Sequence, residues 1–182
     1  MIIDKDPTNL PSKTFCALPW MYVSTRPNGH MRVCCTANAS GVQNKDSTKK
    51  TLSEAGVLRR DDGLPANLAT TSLLDAWNNE YMRSVRKMML NGEKPPSCLK
   101  CFKEEDAGHR SKRQWETAKW VGELGLDDII GETNEDGSVP PRVRYIDLRL
   151  GSKCQLACVM CSPHDSSKWV KEYKEIYPDL KN

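Results

Sequence analysis

Eight cysteines in a chain of 182 residues limit what it can fold into more than any other feature, because they are unevenly placed. Cys154, Cys158 and Cys161 share one short stretch, Cys98 and Cys101 form a CxxC, and Cys16, Cys34 and Cys35 lie near the amino terminus. Met1-Ile2-Ile3-Asp4-Lys5-Asp6-Pro7 has no basic segment leading into an apolar run, so no signal peptide is read there. No stretch approaches the roughly 20 apolar residues that span a bilayer. The expectation is a cytoplasmic protein without a membrane partner, and in a reducing compartment clustered thiols point to metal or redox work rather than disulfides. The net charge of +3, from 27 basic and 24 acidic residues, lacks the basic excess of a chain whose main partner is a phosphate backbone. Nucleic acid is therefore not expected.

Local signals place the thiols on elements. Trp20 to Thr25 and His30 to Cys35 are β-leaning runs around Arg26-Pro27-Asn28-Gly29, which predicts a hairpin. Residues 36 to 71 are rich in Ser, Thr, Asn, Lys and Gly and suit a long surface loop. Ser72, with Asp75 three places on, opens an amphipathic helix carrying Leu74, Trp77, Tyr81, Val85 and Met88 and stopping at Gly92. After Pro95-Pro96-Ser97 come Cys98 and Cys101, and Lys103 to Val121 has helical composition. Gly122 to Pro141 reads as a linker, Val143 to Leu150 as a strand, and Asp165 to Tyr177 as a helix.

The stretch Cys154-Gln-Leu-Ala-Cys158-Val-Met-Cys161 supplies three thiols, and no fourth cysteine follows it. A structural zinc or a closed [4Fe–4S] site normally takes four protein ligands, whereas three thiolates leave one iron open to bind and reduce something. CxxxCxxC directly after a strand and before a helix resembles the signature of the radical S-adenosylmethionine (SAM) superfamily. That resemblance implies a [4Fe–4S] cluster on Cys154, Cys158 and Cys161 whose open iron binds SAM. It also implies reductive cleavage of SAM to a 5′-deoxyadenosyl radical that takes hydrogen from a substrate. The family usually has an aromatic residue before the third cysteine, near the adenine; Met160 stands there. The other readings are thiols packed as small hydrophobes, or part of a zinc site completed by His164.

A hairpin returns its second strand toward the start of its first, so Cys16 and Cys34 can approach one site, and the CxxC of Cys98 and Cys101 can close the cage. Four thiolates fit either zinc or a fully ligated [4Fe–4S] cluster, and spacing does not choose. The pattern FCxLPW, then GxxxxC from Gly29 to Cys34, then CxxC, resembles the SPASM/twitch auxiliary-cluster domain, and the one-cluster twitch variety is the closer match. Twitch modules commonly follow the barrel, and this one precedes it. Cys35 is the alternative to Cys34 as ligand.

The isolated His30, His109 and His164 read as non-ligands, Lys103 to Asp106 as a solvated helix face, and Arg110, Lys112 and Arg113 as ordinary surface. Asp147 and Arg149 could line an active site or sit at the surface. The resulting expectation is an α+β chain: a twitch-like β-hairpin plus helices over 1–121, a linker over 122–141, and over 142–182 the first βα unit of a (β/α)6 partial TIM barrel that is cut short. Because parallel sheets are covered on both faces, the last 40 or so residues are expected to pack poorly or lean on the preceding module. The expected partners are SAM, a substrate such as a peptide, and a reductant such as flavodoxin or ferredoxin. The other functional classes are a zinc-stabilised binding module and a two-cluster electron carrier.

Overall fold

The computed structural model describes residues 7–37, 56–163 and 165–178. The hairpin forms as expected. Its strands are β1 (Tyr22–Thr25) and β2 (Met31–Arg32), antiparallel with Ser24 opposite Arg32 and Thr25 opposite Met31. The turn is closed by hydrogen bonds from the Gly29 N–H to the Arg26 carbonyl and from the Arg26 N–H to the His30 carbonyl. Among the described residues only glycines have positive φ, and Gly29 is at 82°. The connection is therefore a Pro27-Asn28 turn followed by a left-handed glycine, not the mirror-image turn that needs Asn28 at positive φ. A Cβ on Gly29 would also meet the Asn67 side chain.

Residues 56–71, expected as open loop, instead lie along the hairpin. Val57 bridges to Arg32 and Asn67 to His30, and Val57 and Ala66 are fully buried. Residues 38–55 of that stretch lie outside the described residues. The single helix expected from Ser72 to Gly92 is two, α1 (Leu73–Trp77) and α2 (Glu80–Leu90). Ser72 caps the first as read, accepting from the Asp75 N–H. Asn79 breaks the run because its side chain accepts from the Tyr81 N–H and so starts a new helix.

Next come α3 (Leu99–Asp106) and α4 (Lys112–Leu124), the latter opened by a capping box between Ser111 and Gln114. The stretch read as linker contains a further short helix, α5 (Leu126–Ile130). It also buries Ile129 and Val139 in the core, and Thr133 accepts from the Trp20 indole at 2.9 Å.

The core joins the hairpin to α2 through Phe15, Trp20, Tyr22, Met31, Val85 and Met89, each worth roughly 1.5–3 kcal/mol on burial. At its centre sits a charge. Arg86 is fully buried, and its guanidinium donates to the Pro19, Trp77 and Gly137 carbonyls and to Asn78 Oδ1 at 2.8–3.1 Å. One side chain thereby ties α2 to the Cys16 segment, to the end of α1 and to the stretch before β3.

The strand β3 (Tyr145–Asp147) pairs parallel with β1, Tyr22 opposite Tyr145 and Ser24 opposite Asp147, giving the sheet order β2-β1-β3. The last segment thus leans on the preceding module, as expected. The final helix, α6 (Trp169–Ile176), buries no residue, and Leu150 is 80% exposed. Among the described residues no helix is long and apolar enough to cross a membrane.

Replacing Arg86 with Leu leaves buried acceptors unpaired, so it should cost about 3 kcal/mol or more. A lowered midpoint in urea unfolding checks this. Asp136 near the end of α5 accepts from the Ser138 hydroxyl and N–H and from Arg83, which hold its pKa at about 2 against an ordinary 3.8. A depressed carboxyl contributes stability above its ordinary pKa, and that contribution disappears as pH falls through about 2. An NMR titration should show this midpoint in the parent and a higher one in Ser138→Ala.

Candidate metal centres

Three separate pieces of chain bring four thiols to one pocket. Cys16 precedes a 3-10 turn that begins at Leu18-Pro19. Cys34 follows β2, Cys98 caps α3, and Cys101 lies in the first turn of that helix. Pro96 starts the tight turn that delivers Cys98, and the i,i+3 spacing then puts Cys98 and Cys101 on one helix face. One pocket is lined by all four, together with Lys100, Lys112 and Arg113. Cys35 does not line it. The Cys35 thiol turns instead toward Tyr22, with the Lys112 and Asp147 charges acting on it.

The walls are braced by α4. Arg113 donates to the Phe15 carbonyl at 2.6 Å and forms an ion pair with Glu105, which also accepts from Ser111. The Ala17 N–H donates to Thr117 Oγ1 at 3.2 Å. Arg113 is thus buried at 7% exposed and is not the surface residue that its sequence neighbourhood suggested. Glu105, from the run read as a solvated face, is its half-buried partner.

Burial dominates the thiol chemistry. It pushes Cys16 and Cys98 each up to about 12, with the Arg113 guanidinium pulling the other way. Cys34 is raised first by its hydrogen bond to Cys35 and then by burial, and the same bond lowers Cys35. Without a metal these positions favour neutral thiols. A bound metal displaces the protons and repays the burial, and the three cations around the pocket with the amino-terminal end of α3 favour the negative charge that results.

Among the described residues no three His, Cys, Asp or Glu side chains stand close enough together to hold one metal ion. That holds for Cys154, Cys158 and Cys161 of the later loop as well as for the pocket thiols. Zinc would draw its sulfurs to about 2.3 Å from a single point, and the pocket thiols are not gathered in that way.

The second thiol group follows β3. Cys154 Sγ accepts from the Leu156 N–H at 3.4 Å, and the Cys161 N–H donates to the Cys158 carbonyl at 2.9 Å. Partial desolvation and then the Cys158 charge raise the Cys161 thiol, with Asp165 and Cys154 adding to the effect. The loop is fastened from its carboxy-terminal side. The buried Ser166 donates to the Leu156 carbonyl at 2.8 Å and the Trp169 indole to the Cys158 carbonyl at 3.0 Å. Met160, the residue matched to the adenine position, is 94% exposed. His164 lies outside the described residues.

The two sites meet through the sheet. Tyr22 donates to Asp147 Oδ2 at 3.2 Å and stacks on Tyr145 at 4.5 Å between centroids. Arg149 pairs with Asp165 at 3.3 Å. The sequence marked every thiol but not the side chains that hold them: Arg113 and Thr117 reach about 100 positions back to Phe15 and Ala17, and Ser166 and Trp169 reach 10 and 11 back to the loop. The Ser111-Gln114 capping box was the one local signal for α4's start.

The chain matches no curated protein and no solved structure. Residues 16–102 match the profile of the SPASM family, described as an iron–sulfur cluster-binding domain. That span opens on Cys16 and closes one residue past Cys101, enclosing all four thiols of the pocket.

Proposed function

We propose that this chain is the cluster-bearing part of a radical SAM enzyme. Cys16, Cys34, Cys98 and Cys101 hold an auxiliary [4Fe–4S] cluster, closed by four thiolates. Cys154, Cys158 and Cys161 hold a second [4Fe–4S] cluster whose fourth iron is left for SAM. The observation that carries the reading is the pairing of a SPASM-matched, four-thiol pocket with a separate loop of three closely spaced cysteines that follows a parallel strand. Loops at the carboxy-terminal end of parallel strands are where α/β barrels place their chemistry. On this reading β3, the cysteine loop and α6 form the first βα unit of a (β/α)6 partial barrel.

When bound, a three-thiolate cluster supplies the electron that cleaves SAM to methionine and a 5′-deoxyadenosyl radical. The chain's own residues do the holding. Ser166 and Trp169 fix the loop through backbone carbonyls, and the exposed Leu156, Val159 and Met160 offer apolar contact to a nucleoside. Arg113, Lys112 and Lys100 offset the negative charge of the auxiliary cluster. A flavodoxin- or ferredoxin-type reductant and a substrate such as a peptide complete the reaction.

Anaerobic reconstitution with iron and sulfide tests the assignment. The expected product is brown, with about eight irons per chain and a visible or EPR spectrum that changes on adding SAM. Bound zinc without colour would support a binding module instead, and two clusters indifferent to SAM an electron carrier. Cys158→Ala should remove about half of the iron and the whole SAM response. Cys34→Ala should likewise lose the auxiliary cluster, while Cys35→Ala keeps the full iron content. Equal losses from both would reassign that ligand.

A further inference from the structure

Two hydroxyls stand against the sulfurs of the four-thiol pocket. Thr36 Oγ1 lies 3.3 Å from Cys34 Sγ and 4.0 Å from Cys101 Sγ, and Ser97 Oγ lies 3.8 Å from Cys98 Sγ. Both residues line the pocket with the thiols, and Ser97 is fully buried. Cys16, the remaining thiol, takes a hydrogen bond from the Leu18 N–H. Each of the four sulfurs therefore has a donor beside it, and two of those donors are side-chain hydroxyls outside the ligand set. The three-thiol loop is built differently. Its neighbouring hydroxyls, Ser162 and Ser166, donate to Asp165 and to the Leu156 carbonyl instead.

Between free thiols and hydroxyls these contacts have no fixed direction, because S–H and O–H can each donate or accept. A bound cluster fixes it. Its ligands are thiolates without a proton, so the sulfurs only accept and Thr36 and Ser97 are left to donate. Tyr81 also hydrogen-bonds Ser97; the phenol has a proton of its own to give to Ser97 Oγ, so Ser97 can still donate to Cys98. Adding an electron makes a cluster more negative, and a donor aimed at its sulfurs then stabilises the reduced form more than the oxidised one. Hydrogen bonds to the sulfurs are accordingly among the quantities that set an iron–sulfur reduction potential. In a buried pocket such a bond acts in a low local dielectric, where it is stronger than in water.

We propose that Thr36 and Ser97 set the reduction potential of the auxiliary cluster, raising it through hydrogen bonds to Cys34, Cys101 and Cys98. The inference rests on the auxiliary-cluster reading above and adds two positioning residues to it, which act through the ligand sulfurs and bind no iron. Thr36 stands between sulfurs from two segments, the turn after β2 and the first turn of α3, so its single proton serves both.

An EPR-monitored redox titration of the reconstituted full chain tests this, in a Cys158→Ala background so that the auxiliary cluster is read alone. Thr36→Val keeps the branched shape without the hydroxyl, Ser97→Ala removes the other hydroxyl, and Thr36→Ser keeps the first. Thr36→Val and Ser97→Ala should retain the parent's iron content. Each should lower the one-electron reduction equilibrium constant about tenfold, a fall of about 59 mV in midpoint, while Thr36→Ser stays near the parent. After exchange into D2O, ENDOR of the reduced cluster should show a deuteron coupling in the parent that Thr36→Val lacks. Unchanged midpoints in the loaded variants, or a Thr36→Ser midpoint as low as that of Thr36→Val, would overturn the inference and leave the cluster assignment standing. Iron loss from Thr36→Val or Ser97→Ala would make that side chain a structural support and overturn its role in the potential. A parent that takes up no iron would overturn the cluster assignment and the inference together.

Discussion

A thiolate taken out of water needs a cation, and this chain takes several thiols into one place. Cys16 and Cys98 are pushed to about 12 by burial, so at neutral pH the pocket is filled with thiols that only a metal would deprotonate. The neighbouring structure serves that end. Arg113 holds the Cys16 segment by its Phe15 carbonyl while anchored to Glu105 on α3, the helix that carries Cys101. Arg86 holds the other end of the same segment by the Pro19 carbonyl. Two buried guanidiniums thus fix the segment on which the first ligand sits, and each loses its purpose if the segment moves.

The β1–β3 pairing then links two kinds of chemistry. A parallel pair with Tyr22 bonded to Asp147 means that the turn bearing Cys34 and Cys35 and the strand feeding Cys154 share one sheet. On the proposed reading the auxiliary cluster is part of the framework that sets the direction of the three-thiol loop. Ile146 of β3 is 54% exposed while Tyr145 and Asp147 are half-buried, so β3 has one covered side here, where a parallel strand ordinarily has two.

What could be read in advance was whatever depends on neighbours in sequence. Cysteine spacing, the Asn28-Gly29 turn, the Ser72 cap and the Gly92 stop are local signals, and each corresponds to something in the fold. The two-helix break at Asn78-Asn79 was missed because apolar periodicity runs straight through it, although Asn79 is itself a capping residue. The packing of 122–141 was missed because composition averages over a window, in which the buried Ile129 and Val139 and the flanking Leu124, Leu126 and Ile130 that pack on the core are diluted by Gly and acidic residues. Arg86 and Arg113 look like ordinary helix-surface charges in sequence. Their burial follows from acceptors up to 98 positions away, which no local pattern reveals.

The central claim is a four-iron cluster with one iron left uncommitted by protein beside a second cluster that is closed. Mössbauer spectroscopy of the ⁵⁷Fe-reconstituted chain, with and without SAM, tests it most directly. The account predicts a single iron subsite that becomes distinct when SAM is added, while the signals of the auxiliary cluster stay unchanged. Spectra in which no subsite responds to SAM, or in which the Cys154–Cys161 loop takes up no iron, would contradict it.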